Sequence, residues 1–482
     1  MNRSGTRITV AALAAVTSMA AAPAAMAAPA MAAPATAVAG ARGAALDGVW
    51  QTDGYSTIIT VQGDRLRYFD TTAISCQAGV ISAGRRGAQG AFVADDGSRQ
   101  MTIELQGRQR ARLRYVGAVG EIGLRRLPAL PARCSVKAPA ADPVTVFDVF
   151  WTTFAENYPF FATKGVDWQA VRDRYRPRVG PKTTDAELFG VLRDILRELG
   201  DAHTALRAGK DEFARPLRPG TRPLDGLPAF MALNKRVLDL VERHDVKKPL
   251  TTWGRGVIGY ADLPGGFGYL RLAAFDGYAD GGFAANAAEL DRALDEIFTP
   301  ARTSRLKGLV LDVRLNFGGY DALGVQLASR LTGRPYAAYA KQARNDAFDP
   351  TRFTRALPTW VRPAAGSRYT GPIALLTSPL TISAGETFSQ AMTARTPAPR
   401  RIGDATQGAF SDFLWRALPN GWTFALPNER FLTRQGTSFD VTGIPPQDRI
   451  AETLSDEELA AGRDAAFDRA LAYLRTAGRS GR

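Results

Sequence analysis

Ser383 stands in the run Thr381-Ile382-Ser383-Ala384-Gly385-Glu386, after an apolar stretch and before a helical one. A serine at a helix N-terminus is surrounded by uncovered backbone N–H groups and the positive end of the helix dipole. That setting suits a nucleophile whose reaction builds an oxyanion, and it equally suits a plain capping serine. A second run, Asn316-Phe317-Gly318-Gly319, follows an apolar strand candidate at 308–314. Paired glycines leave backbone N–H groups uncovered. Gly318 or Gly319, together with the N–H of Ala384, can therefore form an oxyanion hole. A serine nucleophile needs a base, and the chain has two histidines. His244 sits among Arg243, Asp245, Lys247 and Lys248 and reads as a solvated helix end, so His203 is the better candidate base. No histidine follows Ser383, which excludes the chain order of an α/β-hydrolase triad. Two histidines and two distant cysteines give no metal-ligand spacing.

These residues need elements to hold them. Residues 46–137 alternate in short runs separated by Gly and Asp turns, which predicts a small all-β unit, a barrel or sandwich. Near Pro143 the apolar period changes to a helical one. Phe147, Phe150, Trp151, Phe154 and Tyr158 share a face, Trp168, Val171 and Tyr175 share another, and a third helix starts at Thr184 with Glu187 completing a capping box. These elements form a helical subdomain at 143–206 that ends beside His203. Residues 207–256 are an irregular, Pro-rich connector around one helix. From 257 to 454 apolar strands at 268–272, 308–314 and 373–377 alternate with amphipathic helices, the pattern of a sheet covered on both faces, hence an α/β core. A helix at 456–474, capped by Ser455, occupies the final segment, 455–482.

The first 27 residues carry Arg3 and Arg7, a short apolar stretch and Ala25-Met26-Ala27, the pattern of a secretory signal peptide. Residues 28–45 read as an Ala/Pro/Gly linker. The expectation is a secreted or periplasmic protein. In such a compartment the even pair Cys76 and Cys134, both in the β unit, is expected to form a disulfide. The net charge of +14 is carried by dispersed arginines, which reads as a solvated surface and not as a nucleic-acid site. No run is long enough for a membrane span.

Taken in order, Leu199-Gly200-Asp201-Ala202-His203-Thr204, Leu311 to Gly319, Thr381 to Glu386 and Ile402 to Gly408 resemble peptidase family S41, the tail-specific or C-terminal processing proteases. The resemblance covers about 143–452. It implies a Clp/crotonase-like α/β catalytic core and serine-type peptidase activity. One scheme in the family pairs the serine with a lysine about 25 residues later, but no lysine follows Lys341. The tricorn-core scheme, with a histidine base on the helical subdomain and a distal acid, matches His203. It implies Asp440 as the acid, with Glu386 and Asp412 as alternatives. The 50-residue connector is too short for the PDZ domain of many relatives.

The reading is then a hydrolase: a serine-type endopeptidase acting in proteolysis through an acyl-enzyme. Ser383 is the nucleophile, His203 the base, Asp440 the ring-orienting acid, and Gly318, Gly319 and Ala384 the oxyanion donors. Its partner is a peptide or protein substrate, with no nucleic acid, no cofactor and no metal. The alternative is an exported, non-catalytic protein on the same scaffold that binds peptides or apolar ligands. If the base is an ordinary imidazole, kcat/KM falls on acidification between roughly pH 5.5 and 7.5. If the β unit is separate, removing residues 28–137 leaves a folded peptidase.

Overall fold

The computed structural model describes residues 46–477 apart from 82–83, 88–90, 96, 98, 136–138, 211 and 223–225. The expected signal peptide and linker lie outside the described residues.

The α/β core is a seven-stranded sheet. Its order is Thr251–Trp253, Ile258–Leu263, Phe267–Leu272, Gly308–Asp312, Ile373–Thr377, Arg400–Gly403 and Asp448–Arg449. The first three strands run antiparallel and the rest pair in parallel. Because strand side chains alternate, the central strands feed two cores. Leu309, Leu311 and Leu375 join one with Leu290, Leu294, Leu323, Leu327 and Phe388 from helices Gly282–Ile297, Asp321–Ser329 and Ala384–Thr393. Val310, Ala374 and Leu376 join the other with Val237, Leu240, Phe467 and Leu474 from helices Gly226–Leu240 and Ala465–Ala477. Every residue of Gly308–Asp312 and Ile373–Thr377 is buried, as expected for strands sandwiched by helices.

The helical layer is built from Pro143–Asn157, Trp168–Tyr175 and Asp185–Leu199. Both halves of the Thr184–Glu187 capping box form, and the helix stops at Gly200. Its aromatic stripe is core: Phe147, Phe150, Phe154 and Tyr158 pack with Leu192, Ile195 and Leu199.

Three expected boundaries move. The connector 207–256 is not a separate unit, since Thr251–Trp253 is the edge strand of the core sheet. Ala205–Ala208 pairs with Glu212–Ala214 and with Thr423–Leu426, so the helical layer shares a small sheet with the core. The final helix is two, Asp456–Ala461 and Ala465–Ala477. The break falls at Gly462 in the left-handed conformation, after which Asp464 caps the second helix by accepting from Phe467 N–H at 2.9 Å.

The β unit is a meander. Starting at Thr57–Gln62, its strands pass through Gly48–Thr52, Ile122–Leu127, Arg110–Tyr115, Gln100–Leu105, Ala91–Ala94 and Gly84–Arg86 to Arg65–Thr71. A pairing of Arg65–Thr71 with Thr57–Gln62 closes the ring around Trp50, Leu66, Phe92, Met101 and Leu113. Cys76 and Cys134 are bonded, 58 residues apart in sequence. Arg133 beside Cys134 donates to the carbonyls of Thr72 and Ala73. A loop of that length restricts the unfolded chain by about 4 kcal/mol. Cys134→Ser is therefore expected to lower the thermal midpoint of the β unit. The checks are calorimetry with and without reductant and thiol counting on the native protein, where two free thiols would refute the pairing.

The barrel is not detached. Asp70 and Arg416 form a buried ion pair at 2.9 Å, and Arg416 also donates to the carbonyl of Tyr55. Tyr55 donates its hydroxyl to Glu429 at 2.6 Å, and the carbonyl of Gly117 accepts from Ala322 N–H. Gly117 also lies so close to Tyr320 that a Cβ there would come within 2.3 Å of its ring. The barrel thus abuts the segment that follows Gly318-Gly319.

Candidate active site

The site forms at the C-terminal ends of Gly308–Asp312 and Ile373–Thr377, where α/β sheets place ligand crevices. A side-chain and a backbone hydrogen bond lace the two strand ends together. Thr381 Oγ1 donates to the carbonyl of Val313 at 2.8 Å, and Ile382 N–H donates to the carbonyl of Asn316 at 2.9 Å.

Ser383 is the junction between strand and helix. Its backbone is at φ 58°, ψ −125°, a conformation that costs a non-glycine residue about 1–3 kcal/mol. Its N–H donates to the carbonyl of Ala409, and its carbonyl accepts from Glu386 and Thr387 N–H. Its side chain makes no cap bond, so the plain capping reading fails. Between Thr381 and Met392 it alone is not buried. The turn therefore stays strained and presents one hydroxyl to solvent.

Gly318 faces that serine. A Cβ at Gly318 would lie 2.6 Å from Ser383 Cβ and 3.0 Å from Ala384 N, so no side chain fits. Its N–H is already taken by Asn316 Oδ1 at 3.0 Å. Gly319, at φ 127°, would place a Cβ 2.2 Å from the carbonyl of Phe275. Among the described residues, the N–H groups of Gly319 and Ala384 have no acceptor. Of the three donors expected from the sequence, Gly319 and Ala384 are free and Gly318 is spent on shaping the turn.

His203 is buried, and neither ring nitrogen has a hydrogen-bond partner. Its N–H donates to Asp201 Oδ1 at 2.9 Å, and Asp201 Oδ2 accepts from Tyr158 at 2.7 Å. The ring lies 4.5 Å from that of Phe413. Burial, then the neighbouring Arg215 cation, lowers its pKa to about 4 against the opposing pull of Asp201 and Asp412. The imidazole is thus neutral at pH 7. The adjoining Ala202 packs with Ile382 and Ala409, the residues on either side of the Ser383 backbone contact. His244 is exposed.

The three candidate acids separate. Asp440 is buried and accepts from Phe431 N–H and from Ser438 Oγ, while its Oδ1 has no partner. It makes no hydrogen bond to His203. Burial raises it to about 7. Glu386 accepts from Gly408 N–H at 2.7 Å and Ala409 N–H at 2.8 Å, and burial raises it to about 7. Since Ala409 also holds the Ser383 N–H, Glu386 positions the nucleophile's backbone and not the base. Asp412 is half exposed and pairs with Lys341 at 3.2 Å; with Asp201 it is a carboxylate that acts on His203. Lys341 also pairs with Glu429 at 3.0 Å. Burial opposes its charge, but the two carboxylates outweigh it and raise its pKa, so it cannot serve as a neutral base.

Sequence reading passed over Asp201, Asn316 and Arg215. Asp201, two residues before His203, carries the signal of a side chain closing a tight turn. Arg215 carried none. Among the described residues no group of His, Cys, Asp and Glu forms a metal cluster, and no helix is long and apolar enough to cross a membrane.

Residues 266–450 match the model of peptidase family S41, and residues 139–197 match that of the tricorn protease C1 domain. No curated protein matches the chain. Among solved structures, a candidate peptidase from Parabacteroides merdae is 26% identical with a TM-score of 0.58, over 71% of this chain and 99% of that one. Mature CPAF complexed with lactacystin is 12% identical (TM-score 0.48; 70% and 97% covered). The photosystem II D1 C-terminal processing protease is 17% identical (TM-score 0.39; 68% and 99% covered).

Proposed function

We propose that the chain, whose residues 266–450 match peptidase family S41, is a serine endopeptidase in which Ser383 is the nucleophile and His203 its base. The observation that carries the reading is the strained, solvent-open Ser383 beside two unoccupied N–H donors. His203, neutral because it is buried, takes the Ser383 proton as the hydroxyl attacks a peptide carbonyl. Catalytic pairs of this kind commonly tighten only when substrate is bound. Gly319 and Ala384 N–H stabilise the oxyanion; collapse expels the amine and leaves an acyl-enzyme, which water hydrolyses. The cysteine pair supports export of the enzyme to an oxidising compartment.

The lowered pKa of His203 changes the expected acid limb. kcat/KM should stay flat down to roughly pH 5 and fall below it, because the free enzyme's base protonates there. A limb near pH 7 would instead report Glu386 or Asp440, each raised to about 7. His203→Gln should remove orders of magnitude from kcat, and near-full activity in that variant would overturn the assignment. The stability sign agrees. A histidine lowered from about 6.5 to about 4 by folding contributes fully above pH 6.5, and that contribution is lost as pH falls toward 4.

A further inference from the structure

The wall of the site beside His203 is cationic. Lys164 donates to the carbonyl of Gly200 at 3.3 Å, Arg218 to those of Thr442 and Thr406, and Arg215 Nε to that of Ala202 at 2.7 Å. Asp201, the acid that acts on Lys164 and Arg215, is already occupied by Tyr158 and by His203 N–H, and Arg218 faces Glu386 and Asp404 instead.

Arg215 is half-buried. Its guanidinium lies 5.2 Å from the Phe413 ring, the same ring that His203 touches. The segment that carries it crosses the site: two residues on, Leu217 packs against Ala202, Ile382 and Ala409. Among the described residues its two terminal nitrogens donate to nothing and it has no ion-pair partner. Most buried arginines elsewhere in the fold are satisfied differently, although Arg344, which donates to the carbonyl of Tyr158, likewise has no ion-pair partner among the described residues. Arg314 pairs with Asp312 and Asp464, Arg416 with Asp70, and Arg395 spends all three nitrogens on carbonyls. The terminal nitrogens of Arg215 are not enclosed, so a ligand can reach them. Its free planar fork matches a carboxylate in two parallel hydrogen bonds.

Building on the peptidase reading, we propose that Arg215 is a specificity-determining residue that binds a carboxylate of the substrate through its two terminal nitrogens, beside the bond that Ser383 attacks. The carboxylate is either an acidic side chain or a free C-terminus.

The test uses a neutral hexapeptide in four forms: free acid, C-terminal amide, and amides carrying a single Glu or a single Gln scanned along the sequence. Binding is read by fluorescence anisotropy on Ser383→Ala, so that it does not depend on turnover. One carboxylate is expected to tighten binding about 10–100-fold over its neutral counterpart. An advantage for the free acid assigns the C-terminus, and an advantage for one Glu position assigns a side chain. Adding Arg215→Gln should make acid and neutral forms bind alike, while Arg215→Lys should keep part of the difference. The proposal is overturned if acid and neutral forms bind Ser383→Ala equally, if none binds, or if the preference survives Arg215→Gln. It is also overturned if Arg215→Gln weakens both forms equally, which is what a role confined to holding the Ala202 loop predicts. Failure of the peptidase reading looks different: wild type then leaves every peptide uncut and does not react with a fluorophosphonate.

Discussion

Ser383→Ala is expected to abolish fluorophosphonate labelling and to lower kcat/KM by roughly 10⁴-fold or more, as losing the nucleophile of a serine protease does. The fold should not notice. Ser383 makes no side-chain cap bond, and alanine tolerates the turn no better and no worse, so stability should stay within about 0.5 kcal/mol of wild type. Ser383→Gly sharpens the test. Glycine reaches φ 58° without strain and should raise stability by about 1 kcal/mol while remaining inactive. A variant that is inactive and more stable identifies strain held for chemistry. Labelling that persists in Ser383→Ala would place the nucleophile at another serine.

The second large effect is at the barrel interface. Burial raises the pKa of Asp70 even though Arg416 lies 2.9 Å away, so desolvation outweighs the attraction and the pair adds little net stability. Breaking it is another matter. Arg416→Met leaves a buried carboxylate alone and should cost about 3–5 kcal/mol, whereas Arg416→Met with Asp70→Leu should recover most of that. Denaturant unfolding of the two singles and the double gives the cycle; additive losses would show that the charges do not couple. By the same reasoning, deleting residues 46–137 should not yield the freestanding peptidase that the change of period at Pro143 suggested. It strips the partner from Arg416, the hydroxyl from Glu429 and the cover from Tyr320. An active, soluble truncation would refute this reading.

The nucleophile, the glycine turn and the base were legible because each depends on local chemistry or on counting: a serine where strand gives way to helix, adjacent glycines, and two histidines of which one is plainly solvated. The capping box and the buried central strands were legible for the same reason, since period and cap residues act within a few positions. What the sequence hid is decided at long range. Thr251–Trp253 is three residues long, and only its pairing with Ile258–Leu263 makes it a strand. Ala205–Ala208 meets Thr423–Leu426 across more than 200 residues. Asp440 could be placed near the site but its aim could not, because it is captured by Ser438 Oγ and by the N–H of Phe431, whose strand Glu429–Leu432 is placed by pairing with Tyr336–Ala343. Arg215 was one of many arginines until its neighbours showed its two terminal nitrogens to be free beside His203.

Arg314 lies fully buried two residues before Asn316, and one of its two carboxylate partners, Asp464, is 150 residues further along the chain. Asp312 can pair with Arg314 as soon as the strand forms, but the second ion pair closes only after the polypeptide has grown far past it. A nascent chain that ends before Asp464 holds Ser383, His203 and both glycines and still lacks that second ion pair.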